Sequence, residues 1–326
     1  MSETGVHRGA QSEGGPASER RAGRRRGDRI VGASRATQEV VEQALSAAGG
    51  DLPVRISGPA GAGKEHLARA VHAWSSRGSG PFVVVSCAGV ADALLGREIF
   101  GCAAAVYPTL PEEHEGALSR ASGGTLLIDD VDRLMVAQQE ALAKAVADGR
   151  FQREGDATSI ALRGRIIVTS SEPLARSPYG DLPHHGIELA PLADRPEDVL
   201  PLAAHFLKHY ASEEGIEAIG FTADARNALV SEPWPGNVRE LGERVRQAIR
   251  LAGNGAVSAE ALLLSAEAEE IPSFKDAKRA FETRYVKGLL RRCGGNISRA
   301  ARLAKKDRKD FYDVIRRTGV DPAEFR

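Results

Sequence analysis

Eight residues, Gly58 to Glu65, read GPAGAGKE and pass directly into HLARAVHAW. Glycines at 58, 61 and 63 leave the backbone free to wrap around an anion, and Lys64 brings a charge to the point of closest approach. A GxxxxGK run between a strand and a helix presents backbone N–H groups as a nest for phosphate oxygens, with the lysine reaching the β- and γ-phosphates. Gly58, Gly61, Ala62, Gly63, Lys64 and Glu65 are therefore candidate nucleotide-binding residues, and ATP is the expected ligand. Glu65 stands where a serine or threonine hydroxyl usually meets Mg²⁺. The second half of such a site is LLIDD, residues 126–130. Asp129, ending an apolar strand, is the candidate magnesium ligand, directly or through water. Asp130 is the candidate catalytic carboxylate, placed to orient an attacking water; it would serve equally as a turn or helix-capping residue.

These groups need a scaffold that brings them together. VRIS (54–57), PFVVVSC (81–87), GTLLIDD (124–130) and RGRIIVTSS (163–171) are short apolar runs separated by helical segments. That alternation, over residues 30–192, predicts an α/β subdomain with a parallel sheet covered by helices on both faces. Ligands of such sheets sit at the carboxyl ends of the strands, where the glycine loop, Asp129 and Ser170–Ser171 would gather. Residues 193–265 read as purely helical and predict a smaller helical subdomain. A linker follows near EAEEIPS, with Pro272 as its breaker.

Residues 272–326 hold 16 Lys or Arg against 7 Asp or Glu, although the whole chain has net charge +0. This end reads as a separate basic module for a polyanion. NISRAARLA predicts a helix with Ile297, Ala300, Ala301 and Leu303 on its packed face, and residues 305–307 a turn. Asp307 then caps a second helix, RKDFYDVIRR, which buries Phe311, Val314 and Ile315. Residues 1–29, with arginines at 20, 21, 24, 25, 26 and 29, have little to bury and are expected to be disordered. Three separated cysteines without a CxxC pair argue against a disulfide framework or zinc site and suit a reducing cytoplasm. No apolar run reaches the roughly 20 residues that cross a bilayer, and no signal-peptide core opens the chain. The His184–His185 pair has no metal-ligand spacing around it and reads as loop.

The runs IVGASRATQEV, GPAGAGKEHLARAVH, EIFGCAAAV, ASGGTLLIDDVDRL, PLADRPEDVLPLAAHFL and WPGNVREL together resemble the AAA+ domain of the bacterial enhancer-binding proteins, the sigma-54-dependent transcription activators. The resemblance covers roughly residues 30–265. FETRYVKGLLRRCGGNISRAARLAKKDRKDFYDVIRRTGV resembles the Fis-type helix-turn-helix of the same family, so that 266–326 reads as linker and DNA-binding domain, and the short N-terminal tail stands where a sensory module often lies. The family implies an AAA+ P-loop fold with a helical lid and an all-α DNA-binding domain. It further implies ATP with Mg²⁺, double-stranded DNA, RNA polymerase with a sigma factor, and a homo-oligomer from dimer to hexamer. Lys64, the loop glycines and Asp129 match the family's site, Arg239 matches its sensor II arginine, and Ser171 falls in its sensor I pair. Lys305, Lys306, Arg308, Lys309, Tyr312 and Arg316 fall on the DNA-reading part, with Arg308, Lys309 and Tyr312 toward base edges and the others toward phosphates. The helix before this motif, within residues 274–293, has apolar positions suited to pairing with a second copy.

Other positions depart from the family. The water-activating glutamate is Asp130, its restraining asparagine is Ser86, and the sensor I Thr-Asn pair is Ser170–Ser171. Two arginines that act across the subunit interface align with Tyr179 and His185, with Arg176 nearby. An arginine finger contributes about 10³–10⁵ in rate, or roughly 4–7 kcal/mol. Nucleotide binding is therefore expected to survive and fast hydrolysis is not. The sigma-54-contacting GAFTGA loop is AVYPTL at Ala105–Leu110, without its glycines and stiffened by Pro108. It is closer to the GAYPNA form of the regulator of aromatic amino acid biosynthesis, which works with the housekeeping sigma factor, and remodelling of sigma-54 polymerase is not expected. Three readings stand at this point: a DNA-binding regulator with an ATP-binding domain weak in hydrolysis, an active ATPase that remodels sigma-54 polymerase, and a Fis-like architectural DNA binder with the AAA+ part as scaffold.

Overall fold

A computed structural model describes residues 29–108, 111–171, 182–266, 283, 285–291, 293–304 and 306–325. They form two compact units, divided between Ala259 and Glu260. In the first unit α1 (Arg35–Ala48) leads to β1 (Val54–Ser57), α2 (Lys64–Trp74), β2 (Phe82–Ser86), α3 (Asp92–Phe100), α4 (Ala117–Arg120) and β3 (Thr125–Asp129). Then come α5 (Val136–Asp148), the hairpin β4 (Arg150–Gln152) and β5 (Ser159–Ala161), β6 (Arg165–Ser170) and β7 (His185–Glu188). The sheet order is β2-β3-β6-β1-β7, with every pairing parallel.

The side-chain period of two explains why the central strands are apolar throughout. In β3 and β6, Leu126, Ile128, Ile166 and Val168 face a core with Leu95, Ile99, Leu118 and Leu142. Leu127 and Ile167, one step over, face the opposite core with Val40, Ala44, Ile56, Leu67 and Val71. Each such side chain stabilises the sheet by about 1.5–3 kcal/mol. Leu127, on the interior strand β3, is fully buried. The four strands expected from the sequence are all present: VRIS with its expected bounds, the other three trimmed by one or two residues at their ends.

Three elements differ from expectation. His185 is not in a loop: it opens β7, pairs with Val54, and its N–H donates to Pro53 O at 2.9 Å. β7 is an edge strand with only Ile187 buried, too weak a pattern to read. Residues 193–265 are not purely helical either. α6 (Val199–Glu214), α7 (Ala223–Ser231) and α8 (Asn237–Ala252) are joined by a parallel pair, β8 (Ala218–Phe221) with β9 (Gly255–Val257). Both strands are short and contain glycine, so alternation never develops. The β4–β5 hairpin was not expected: its strands are three residues each, too short for alternation to show, although Gly155–Asp156 makes the turn between them.

In the second unit Val286, Leu290, Cys293, Ala300, Ala301, Phe311, Ile315 and Val320 form the core. Asn296 caps the helix Ile297–Leu303, and Asp307 caps the helix Arg308–Thr318 by accepting from Asp310 N at 3.1 Å. Leu303 is exposed rather than packed, because the face of this short helix turned to the core ends at Ala300–Ala301; Val314 is half-buried.

One buried polar knot ties the start of the first unit to its lid. Asp198 is fully buried and accepts from Ala33 N (2.6 Å), Ser34 N (2.7 Å), Ser34 Oγ (2.9 Å) and Thr37 Oγ1 (2.6 Å). Burial raises its carboxyl pKa, but the bonds from Ser34, Thr37 and Ala33 outweigh that and hold it below the usual value. A pKa depressed by folding contributes stability that is complete above the ordinary value of about 4 and is lost as pH falls through the folded one. Asp198→Ala is expected to lower stability by about 3–5 kcal/mol at pH 7, since it strands several buried donors and Arg195. Denaturant unfolding checks this, and the gap between the two proteins should narrow below about pH 4.

Candidate nucleotide site and nucleic-acid interface

The glycine loop joins the end of β1 to the start of α2, so the helix N-terminus and its partial positive charge face the loop. Gly63 stands before Lys64 with φ +106°, and Gly61 has φ +74°, both conformations that side chains disfavour. A cavity of about 480 Å³ opens beside the loop, lined by Gly61, Gly63, Lys64, Glu65, Asp129, Asp130 and Arg239 among others. Residues 64 to 178 positions apart in the sequence are thus brought to one place, at the carboxyl ends of the strands. Gly58, Ala62 and Ser171 are not on its wall. The Gly58 carbonyl and Ser171 Oγ instead accept from Lys64 Nζ, at 2.8 and 3.2 Å. Ala62 lines a second cavity of about 230 Å³.

The charges in the larger cavity are already partly matched. Glu65 pairs with Arg69 at 2.7 Å. Asp129 Oδ1 accepts from Thr169 Oγ1 at 2.6 Å, and Thr169 Oγ1 accepts from Asp130 N at 2.9 Å, so one hydroxyl spans both aspartates. Burial raises the Asp129 pKa; the Thr169 bond works against this, while Asp130 and Glu65 add to it. Asp130 itself sits at φ +57°. Cys87, next to this group, is pushed up to about 12, first by burial and then by the Asp129 and Asp130 carboxylates. Its thiol stays neutral and unreactive. Arg239 is exposed on the cavity wall, and its side chain pairs with no carboxylate among the described residues. Ser86 lies beside Asp129 in the sheet register but not on the cavity wall.

The second cavity is mainly apolar, with Ile30, Val31, Val40, Leu67, Leu189 and Leu202. It shares Gly63, His66, Phe206 and Val238 with the first. An apolar compartment therefore opens into a charged one. His205 lines it, and its pKa is lowered by burial and then by His209, His66 and Arg29, which keeps the ring neutral.

Thr169, Arg195 and Asn237 were missed by sequence reasoning. Thr169 sits one position before the Ser170–Ser171 pair and is fully buried. Asn237 could have been found from its place after Pro235–Gly236, because asparagine tolerates the φ of +57° it adopts. Tyr179 and Arg176 lie outside the described residues.

The loop that aligns with GAFTGA is described up to Pro108. The Tyr107 hydroxyl donates to the Glu154 carboxylate, and Val106 occupies space that Gly155 leaves free. Burial and Glu154 push Tyr107 up to about 12, so the phenol remains a donor. In the second unit Arg308, Lys309, Tyr312 and Arg316 are exposed on the helix Arg308–Thr318, away from buried Phe311 and Ile315, and Lys306 is exposed in the turn. Lys305 lies outside the described residues.

Residues 30–178 match the sigma-54 interaction domain, and residues 193–278 match an AAA+ ATPase lid domain. The transcriptional regulatory protein GlrR of Escherichia coli K12 is 31% identical over 309 residues, 91% of this chain and 69% of the relative. The chain belongs to the sigma-54-dependent transcriptional regulators. ZraR of Salmonella typhimurium, another of them, is 31% identical over 301 residues, covering 88% of this chain and 68% of its own. The crystal structure of NtrX from Brucella abortus with ADP superposes with a TM-score of 0.65 at 29% identity, covering 90% of this chain and 69% of that one. As a member of this family the chain is a DNA-binding transcription regulator with an AAA+ domain, and the fold is the AAA+ parallel sheet with a helical lid. Among the described residues no helix is long and apolar enough to cross a membrane.

The raised Asp129 pKa means the fold disfavours its charge. Asp129→Asn keeps an acceptor for Thr169 and removes that charge. It is expected to raise the melting temperature at pH 7 in the absence of nucleotide, as read by calorimetry.

Proposed function

We propose that this regulator binds ATP with Mg²⁺ in the paired cavities, uses nucleotide state to set its oligomeric form, and hydrolyses the nucleotide slowly. The observation that carries the reading is the convergence of Lys64, Asp129 and Arg239 on one cavity, beside a helix N-terminus, while His185 is built into β7. NtrX has been crystallised with ATP and with ADP, which supports the same ligand here. The apolar cavity suits a purine base, and the charged one suits phosphates. Asp129, Asp130 and Glu65 offer hard oxygen ligands, and the raised Asp129 pKa fits a position made for a cation. When bound, Mg²⁺ would neutralise phosphate charge. Lys64 would turn from the carbonyls of Gly58 and Pro59 to the phosphates, and Arg239 would reach them from the lid.

Slow hydrolysis rests on three features. Asp130 is one methylene shorter than the glutamate it replaces, and Tyr179 and His185 replace both arginines. His185 is held by backbone hydrogen bonding at a sheet edge and carries no permanent charge. The loop at 103–108 is tied to the β4–β5 hairpin through Tyr107 and Glu154, which supports a contact with polymerase unlike that of a free GAFTGA tip. The exposed face of Arg308–Thr318 would read DNA as a dimer or larger homo-oligomer, with RNA polymerase and a sigma factor as the partner.

Purified protein is expected to bind ATP but to turn it over about 10³-fold or more slowly than a site with both arginines. Lys64→Ala should weaken binding by roughly 10- to 100-fold, the worth of a charged hydrogen bond. Rapid turnover that Lys64→Ala abolishes would overturn the reading. For DNA, fluorescence anisotropy on a site found by genome-wide mapping separates two roles. Arg308→Ala should cost about 1–3 kcal/mol and relax sequence preference, whereas Lys306→Ala should reduce the salt slope by about one.

A further inference from the structure

The phosphate loop has a feature that the nucleotide reading does not use. Every carbonyl from Gly58 to Ala62 has a hydrogen-bond donor. Lys64 Nζ serves Gly58 O at 2.8 Å and Pro59 O at 3.3 Å. The next three are held from the lid: Ala60 O by Asn237 Nδ2 at 2.9 Å, Gly61 O by Arg239 N at 3.1 Å, and Ala62 O by Arg195 Nη2 at 3.0 Å. In a planar trans peptide the C=O points opposite to the N–H of the following residue. Holding these carbonyls outward therefore aims the N–H groups of Gly61 and Gly63, both on the cavity wall, the other way.

We propose that Asn237 and Arg195 are positioning residues that shape the phosphate loop through the carbonyls of Ala60 and Ala62, without touching the nucleotide.

Asn237 is built for this. It is buried at 3% exposure, and its φ of +57° is one that asparagine and glycine accept. The orientation of its amide follows from its partners: Leu192 N can only donate, so Oδ1 faces it at 2.8 Å, which leaves Nδ2 for the carbonyls of Ala60 and Pro235. The side chain thus bridges the loop, the end of the α/β part and the lid. Arg195 is equally buried, with Nη1 on Thr37 Oγ1 at 3.3 Å and Asp198 3.8 Å away. Loop and lid also approach backbone to backbone: a Cβ on Gly61 would stand 2.3 Å from Gly236 O. The loop's shape is therefore set by the lid.

The inference rests on the proposed nucleotide reading, so the test separates the two. Displacement of a fluorescent ADP analogue by ATP and by adenosine gives two affinities for each protein. Asn237→Gly keeps the backbone conformation and removes all three side-chain bonds; Asn237→Asp keeps the acceptor for Leu192 but turns a carboxylate toward the Ala60 carbonyl. Both are expected to weaken ATP by about three- to tenfold, in line with the loss of one or two hydrogen bonds, with adenosine within about twofold of the parent. Arg195→Lys, which keeps the charge beside Asp198, should shift the same ratio. A merely structural role lowers the active fraction and affects both ligands alike. An unchanged ratio of ATP to adenosine affinity overturns the proposal while the nucleotide reading stands. If the parent binds neither ligand, the nucleotide reading falls and this inference with it.

Discussion

A glycine-rich loop has no side chains with which to pack itself, and here its shape depends on donors that reach its carbonyls from outside. Lys64 supplies two of them from the following helix, and Asn237, Arg239 and Arg195 supply the rest from 130 to 180 residues further along the chain. Two of them are themselves fixed by burial and bonding, Asn237 through Leu192 N and Arg195 beside the Asp198 knot, and nearby Trp234 is buried with its indole N–H on Leu229 O. The loop is consequently part of the lid interface, and the two share one set of hydrogen bonds.

Around that loop the electrostatics are held in tension. Seven charged side chains line the larger cavity, and among them only Glu65 and Arg69 satisfy each other closely. Lys64 spends its charge on neutral carbonyls, Arg239 pairs with no described carboxylate, and Asp129 is held by a single hydroxyl against neighbours of its own sign. Buried charge without a full partner is costly. A ligand that brings phosphate and a divalent cation would answer both signs at once, which is the physical sense of the proposed function.

The sheet was legible because a parallel strand covered on both faces must be apolar at every position, as in Leu126, Leu127 and Ile128. β7, β8 and β9 were not, since an edge strand such as HGIE or a short one with glycine has too few buried positions to form a pattern. The face of Arg308–Thr318 was readable from the period of 3.6, with Phe311 and Ile315 inward, whereas Leu303 was misplaced because a seven-residue helix presents barely two turns.

The sequence by itself determined the chemistry available: a glycine loop with Lys64, two adjacent aspartates, Arg239 in the lid, and a basic C-terminal end. These are local, because strand, loop and helix in succession are specified by neighbouring residues. Only the tertiary structure decided who holds the loop, that Thr169 bridges Asp129 and Asp130, and that His185 belongs to a strand. Those contacts join residues up to 178 positions apart, and a hydrogen bond across such a span depends on how the layers pack, which no local pattern records.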